Sequence, residues 1–253
     1  MARLARLLTL TTLGVAVTTG CQPQVIIARQ SASGEGGAAT AGSGEAGTIA
    51  LAGEGGTAGA EPEENVRLLA DSVADFSLVQ GEHGWYYGYD GGSLDSFALM
   101  TRTAVITLYV PVTNDVWDCW VNDVAHWTQI FRLGAHPNGT DTSPPSPKLL
   151  QRAVRRWVSS FSGAVTISGE IAKIDVAAMG SNGVDASVYV DGMQRYTTFI
   201  SGEDGGGLSY ELTALVHVGS TLDFVLDPHD GDDHHDLSRF TAIVARADTN
   251  APD

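Results

Sequence analysis

The chain has 253 residues, 43% of them hydrophobic and 17% charged, with a formal charge of −16 from 14 basic and 30 acidic side chains. So few Lys and Arg argue against a nucleic-acid partner, whose phosphates need clusters of them, and two cysteines cannot build a disulfide scaffold. Beyond the extreme N-terminus no apolar run reaches the ~18 residues of a membrane-spanning helix, which leaves an exported, acidic, β-rich protein.

Residues 1–20 read as a signal peptide: Arg3 and Arg6 form a basic start, 7–17 is apolar and Thr-rich, and Thr18, Thr19 and Gly20 lead into Cys21. A Cys directly after Gly resembles the lipobox of bacterial lipoproteins, although Thr18 stands where Leu is usual. That resemblance implies lipidation of Cys21 (palmitate among its acyl chains), which holds the chain at a membrane surface without a spanning helix. Gln22, in place of Asp, implies by the same resemblance the outer membrane or cell surface of a bacterial envelope. Residues 21–70 then read as a lipid-anchored flexible linker. Ten of the 30 glycines fall between 31 and 60, among Ala, Ser and Thr. Such a segment cannot bury enough apolar surface to offset its ordering entropy, and as a coil of some thirty residues it reaches ~30 Å.

Ordered structure is expected from near Asp71, and 71–253 reads as one domain. Alternation at period two recurs with turn residues between segments. Val165, Ile167 and Ile171 alternate with Thr166, Ser168 and Glu170; Leu208, Tyr210 and Leu212 alternate, as do Leu222, Phe224 and Leu226. Asp191-Gly192 sits between two such runs and predicts a tight hairpin. Segment 149–157 fits a helix or a strand, and 240–245 is expected to be a single last strand. About ten strands point to an all-β fold, a single antiparallel β-sandwich of jelly-roll type.

A resemblance sharpens this. Asp75-Phe76-Ser77-Leu78-Val79-Gln80-Gly81 leads into Gly84-Trp85-Tyr86-Tyr87-Gly88-Tyr89. Then come His136-Pro137, Ala153-Val154-Arg155-Arg156-Trp157, Gly163-Ala164-Val165-Thr166-Ile167-Ser168-Gly169, Gly183-Val184, Val190-Asp191-Gly192, Leu222-Asp223-Phe224-Val225 and Asp236-Leu237-Ser238-Arg239-Phe240. This order resembles the carbohydrate-binding-like β-sandwich modules of bacterial secreted and surface proteins. The resemblance implies the sandwich fold and a polysaccharide or envelope glycan as partner. Residues 113–135 match none of its motifs, and 227–236 fills with acids and histidines a loop that usually carries Gly and Asn.

Three kinds of chemistry are then open. Trp85, Tyr87, Tyr89, Trp117, Trp120 and Trp127 are candidate platforms for the C–H face of a sugar ring, although such rings fill cores equally well. Asp227, Asp230, Asp232, Asp233 and Asp236, interspersed with His229, His234 and His235, are candidate ligands of Ca²⁺, which favours six to eight oxygens. The spacing is not that of an EF-hand, and a solvated acidic turn explains the same residues without any cofactor. Paired carboxylates such as Asp175 and Asp185 are the raw material of glycoside hydrolysis. The chain has no Gly-x-Ser-x-Gly elbow, His-Glu-x-x-His helix or phosphate loop, and seven histidines leave a Ser-His-Asp set without sequence support. The expectation is therefore no enzyme. Cys119, between Trp117 and Trp120, reads as a small buried hydrophobe, and Arg155 and Arg156 as structural charges on opposite faces of a strand. The function expected is a surface-tethered lipoprotein that binds glycan or another extracellular polymer. The alternative is a structural, adhesive or accessory envelope protein, calcium-stabilised and without sugar binding.

Overall fold

The computed structural model describes residues 68–110, 113–176 and 180–247, so Cys21, the signal peptide and most of the linker lie outside the described residues. The first described strand begins at Leu68, three residues before Asp71. The strands in chain order are β1 (Leu68–Asp71), β2 (Trp85–Asp90), β3 (Ala98–Leu99), β4 (Arg102–Val110) and β5 (Thr113–Val121). Next come β6 (Gln129–Phe131), β7 (Gly134–His136), β8 (Arg152–Val158), β9 (Gly163–Lys173) and β10 (Val184–Val190). The last are β11 (Met193–Ile200), β12 (Leu208–Val216), β13 (Thr221–Pro228), β14 (Ser238–Phe240) and β15 (Ile243–Arg246). The ambiguous segment 149–157 is thus a strand, not a helix.

The fold is all-β, an antiparallel sandwich of two sheets. One is six-stranded in the order β11-β10-β13-β8-β2-β3; the other runs β1-β15-β9-β14-β7-β6-β5-β4, with β12 on the free side of β9. Two local signals account for much of this register. Asp191 and Gly192 join β10 to β11 with φ of 49° and 76°, the pair of positive values that a tight turn matching strand twist requires. The segment read as one last strand is two, because Thr241 and Ala242 step between β14 and β15 along the same edge of β9. At that step a Cβ on Gly169 would meet the Thr241 carbonyl oxygen at 2.0 Å, so only glycine permits the approach.

Alternation decides which side chains are inside. Trp85 and Tyr87 of β2, Ala153 and Trp157 of β8, Leu222, Phe224 and Leu226 of β13, and Val184, Ala186, Val188 and Val190 of β10 face Val165, Ile167, Ile171, Tyr210, Phe240 and Val244 of the other sheet. Each large side chain buried this way contributes ~1.5–3 kcal/mol. Arg155 breaks the apolar row of β8 and carries its charge into the core. It donates Nη2 to the Phe131 carbonyl at 2.6 Å and Nη1 to the Ser72 carbonyl at 3.4 Å, so it bridges the sheets through backbone oxygens. Arg156, its neighbour on the outer face, forms a bidentate pair with Asp223 at 2.6 and 3.1 Å. A second, smaller apolar cluster lies on the outer side of β4–β6, built from Ile106, Cys119, Val121, Phe131 and Leu237.

Candidate functional site

Strand parity distributes the aromatic candidates. Trp85 and Tyr87 are fully buried, at 0% exposure, and Trp120 is buried with them. Tyr87 stacks on Trp120 at 5.7 Å between centroids, and Trp85 meets Phe224 at 5.9 Å. Their polar tips are used internally: Trp120 Nε1 donates to the Ser77 carbonyl at 2.9 Å, and Tyr87 Oη accepts from Ser77 N–H at 3.2 Å. Tyr89 packs against the same core, half-buried. Trp117 has the opposite parity to Trp120 and lies on the outer cluster, 4.6 Å from Phe131. As sugar platforms Trp85, Tyr87 and Trp120 are therefore corrected: inward strand positions spend both ring faces on packing, where large rings gain most from leaving water.

Trp127 is nearly as enclosed, at 8% exposure, but borders a cavity. With Arg102, Ala104, Ile106, Val121, Asn122, His126, Gln129, Pro144 and Pro145 it lines a cavity of ≈330 Å³ on the outer face of β4–β6. The loop carrying Trp127 is fixed from below, since Asn122 Oδ1 accepts N–H of both Val124 and Ala125 at 2.8 Å. It is also clamped from the side: Trp127 Nε1 donates to the Ser143 carbonyl at 2.9 Å and Trp127 N–H to Ser146 Oγ at 3.2 Å. These bonds stand Pro144 and Pro145 up as the facing wall. Gln129 Nε2 donates to the His126 carbonyl at 2.9 Å. No hydrogen bond among the described residues engages the Gln129 amide oxygen or the Asn122 amide nitrogen, although both residues are buried. Arg102 adds a guanidinium at the rim, 3.5 Å from Asp123. The cavity thus has an apolar wall of ring and pyrrolidine and a polar side of two amides, an imidazole and a guanidinium. The aromatic content of 113–135 pointed to Trp127; nothing in sequence marked Arg102, Asn122, Gln129 or the two prolines, which come from separate segments.

The acidic loop does not converge. Asp227, on the outer face of β13, lies 3.7 Å from Arg152 and opposite Asp185. Asp230 is exposed on a turn with φ 54°. Asp232 Oδ1 accepts His234 N–H at 3.0 Å and faces its Nδ1 at 2.6 Å. Asp233 Oδ2 accepts Gly139 N–H at 2.8 Å, and Asp236 Oδ1 accepts from Lys173 Nζ at 2.9 Å. Four of these carboxylates face four separate partners and Asp230 is exposed, and among the described residues no three His, Cys, Asp or Glu side chains group to hold a metal ion. The carboxylates offered as candidate calcium ligands therefore do not converge among the described residues. The suggested pair of Asp175 and Asp185 is likewise divided: Asp175 faces His235 Nδ1 at 3.1 Å, and Asp185 faces His229 Nδ1 at 2.8 Å.

A hydrogen-bonded series does run from Asp232 through His234 to Ser143, whose Oγ lies 3.0 Å from His234 Nε2. The space beside it, bounded by Trp127, His136 and His235, is ≈20 Å³, room for one water and not for an acyl group. His136, enclosed there, has its pKa pushed down to about 4 by burial. The series reads as the tie between the loop of Ser143 and the acidic loop. Cys119 is buried with Sγ 3.4 Å from the Ala104 carbonyl, and burial pushes its thiol up to about 12.

No family model and no curated protein matches the chain. Its structural neighbours include carbohydrate-binding modules. A fragment of Clostridium perfringens ZmpB holding CBM51-2 in complex with GlcNAc and INT domains is 12% identical, with a TM-score of 0.31 over 57% of this chain and 37% of that one. The protein thus spans little more than a third of that fragment. A family 35 carbohydrate-binding module from Clostridium thermocellum is 9% identical, with a TM-score of 0.30 over 57% and 88%. The CBM22-1 xylan-binding domain of Paenibacillus barcinonensis Xyn10C is 11% identical, with a TM-score of 0.30 over 71% and 90%. Likeness at this level bears on neither ligand nor activity.

Proposed function

We propose that the protein is a non-catalytic glycan-binding module, held at the bacterial cell surface by a lipid on Cys21 and a Gly-rich tether. The cavity on the outer face of β4–β6 carries this reading. Its ≈330 Å³ is at the small end of ligand sites, the size of one or two sugar rings. Trp127, Pro144 and Pro145 supply an apolar wall for the C–H face of a pyranose, and Asn122, Gln129, His126 and Arg102 supply donors and acceptors for its hydroxyls. The free amide ends of Asn122 and Gln129 reach solvent, and a sugar hydroxyl can replace water on either. The formal charge of −16 disfavours an acidic polymer, so the ligand is a neutral polysaccharide.

Affinity electrophoresis and a glycan array with the chain lacking residues 1–20 test this. Migration should slow in a gel containing the cognate neutral polysaccharide, and Gln129→Ala and Arg102→Ala should each weaken binding ~10-fold, about 1.4 kcal/mol. Trp127→Ala should abolish it. Equal binding by all three variants overturns the assignment of the cavity. No retardation by any neutral polysaccharide overturns glycan binding and leaves the structural or adhesive role. Mass spectrometry of the N-terminal peptide tests the anchor, and an unmodified Cys21 refutes it.

A further inference from the structure

One carboxylate of the acidic loop goes where no solvent reaches. Lys173, the last residue of β9, and Asp236, just ahead of β14, both have side chains of 0% exposure, with Nζ 2.9 Å from Oδ1. Strand pairing holds them there: Ser238 of β14 lies opposite Lys173, and Ser238 Oγ donates back to the Asp236 carbonyl at 2.9 Å. Ser181 Oγ donates to the same Oδ1 at 3.3 Å. The other carboxylate oxygen, Oδ2, is buried and has no partner among the described residues.

As an ion pair this arrangement is unfavourable. Two charges lose their hydration, and one oxygen gains nothing in return. Burial drives both groups toward their neutral forms, with Lys173 below its ordinary value and Asp236 up to about 7, against the attraction between them. A neutral amine held against a carboxylic acid in a water-excluded site has the proximity that favours condensation. Asp175, two residues beyond Lys173, acts on it electrostatically and faces His235 Nδ1 at 3.1 Å.

We propose that Lys173 and Asp236 are joined by an intramolecular isopeptide bond. A proton passes from the ammonium to the carboxylate, leaving an amine and a carboxylic acid. Lys173 Nζ attacks Asp236 Cγ, the C–N bond forms, and the C–O bond to the protonated oxygen breaks. That oxygen leaves as water with one of the amine protons. No oxidant, nucleotide or metal is consumed. The product removes both buried charges together. The bond fastens the acidic loop to the end of β9.

Tryptic mapping of the denatured full chain reads this directly. Without the bond, trypsin releases peptides 157–173, 174–195 and 196–239. With it, cleavage after Lys173 fails, and 157–195 appears joined to 196–239 at the summed mass less one water. Asp236→Asn should reach the same joined product by losing ammonia, whereas Lys173→Arg should give separate peptides. The wild-type digest decides even if the Arg variant does not fold: free 157–173 at its full mass, with no joined species, overturns the proposal.

Discussion

Replacing Asp227 by Asn isolates the electrostatics of the acidic loop. Asp227 sits on β13 beside Arg152 and across from Asp185, and its pKa is pushed up to about 6, first by burial, with Arg152 pulling it back and Asp185 adding to the rise. An unfolded Asp titrates near ~3.9, so the shift of about two units corresponds to at most ~2.8 kcal/mol. The side chain is 33% exposed, and solvent screening reduces this to ~1–2 kcal/mol. Between about pH 4 and 6 the folded chain holds a proton that the unfolded chain has lost. Raising the pH through that window therefore lowers stability, and the loss is complete above it. Asn cannot ionise, so Asp227→Asn should equal wild type near pH 4 and exceed it by ~1–2 kcal/mol at pH 8. Urea denaturation followed by tryptophan fluorescence at a series of pH values measures this. Subtracting variant from wild type cancels the other buried acids, which titrate in both. A difference independent of pH, or a variant weaker at pH 8, would show that Arg152 outweighs desolvation and refute the reasoning.

Other expected outcomes follow from single contacts. Gly169→Ala places a Cβ 2.0 Å from the Thr241 carbonyl oxygen and 2.8 Å from Tyr210 Oη; it should cost ~3 kcal/mol or more in the same assay, and a loss under ~1 kcal/mol would mean that the approach of Thr241 to β9 is not tight. Cys119, with its thiol pushed up to about 12 by burial, should resist an aromatic disulfide reagent at pH 8 until urea unfolds the chain; rapid labelling of the folded protein contradicts its burial. The dispersed carboxylates of 227–236 should leave the melting temperature unchanged between excess Ca²⁺ and EDTA, since a site that binds only the folded chain would raise it.

The sandwich and much of its core were legible from local pattern alone. Val165, Ile167 and Ile171, or Leu222, Phe224 and Leu226, announce an inward face because strand side chains alternate at period two whatever the neighbours do. Asp191-Gly192 announces a turn because few other residue pairs adopt two positive φ values without strain. The split of 240–245 into two strands was hidden, since it falls where Thr241 approaches a glycine on another strand, Gly169. The site was harder still. An indole reads the same in sequence whether it seals a core, as Trp120 does, or walls a cavity, as Trp127 does; the parity of β5 and the clamp from Ser143 and Ser146 separate them. The acids of 227–236 looked like one cluster because they are adjacent along the chain. Their partners, Arg152, Gly139 and Lys173, lie on three other segments, and only the pairing of distant strands determines which way each carboxylate turns.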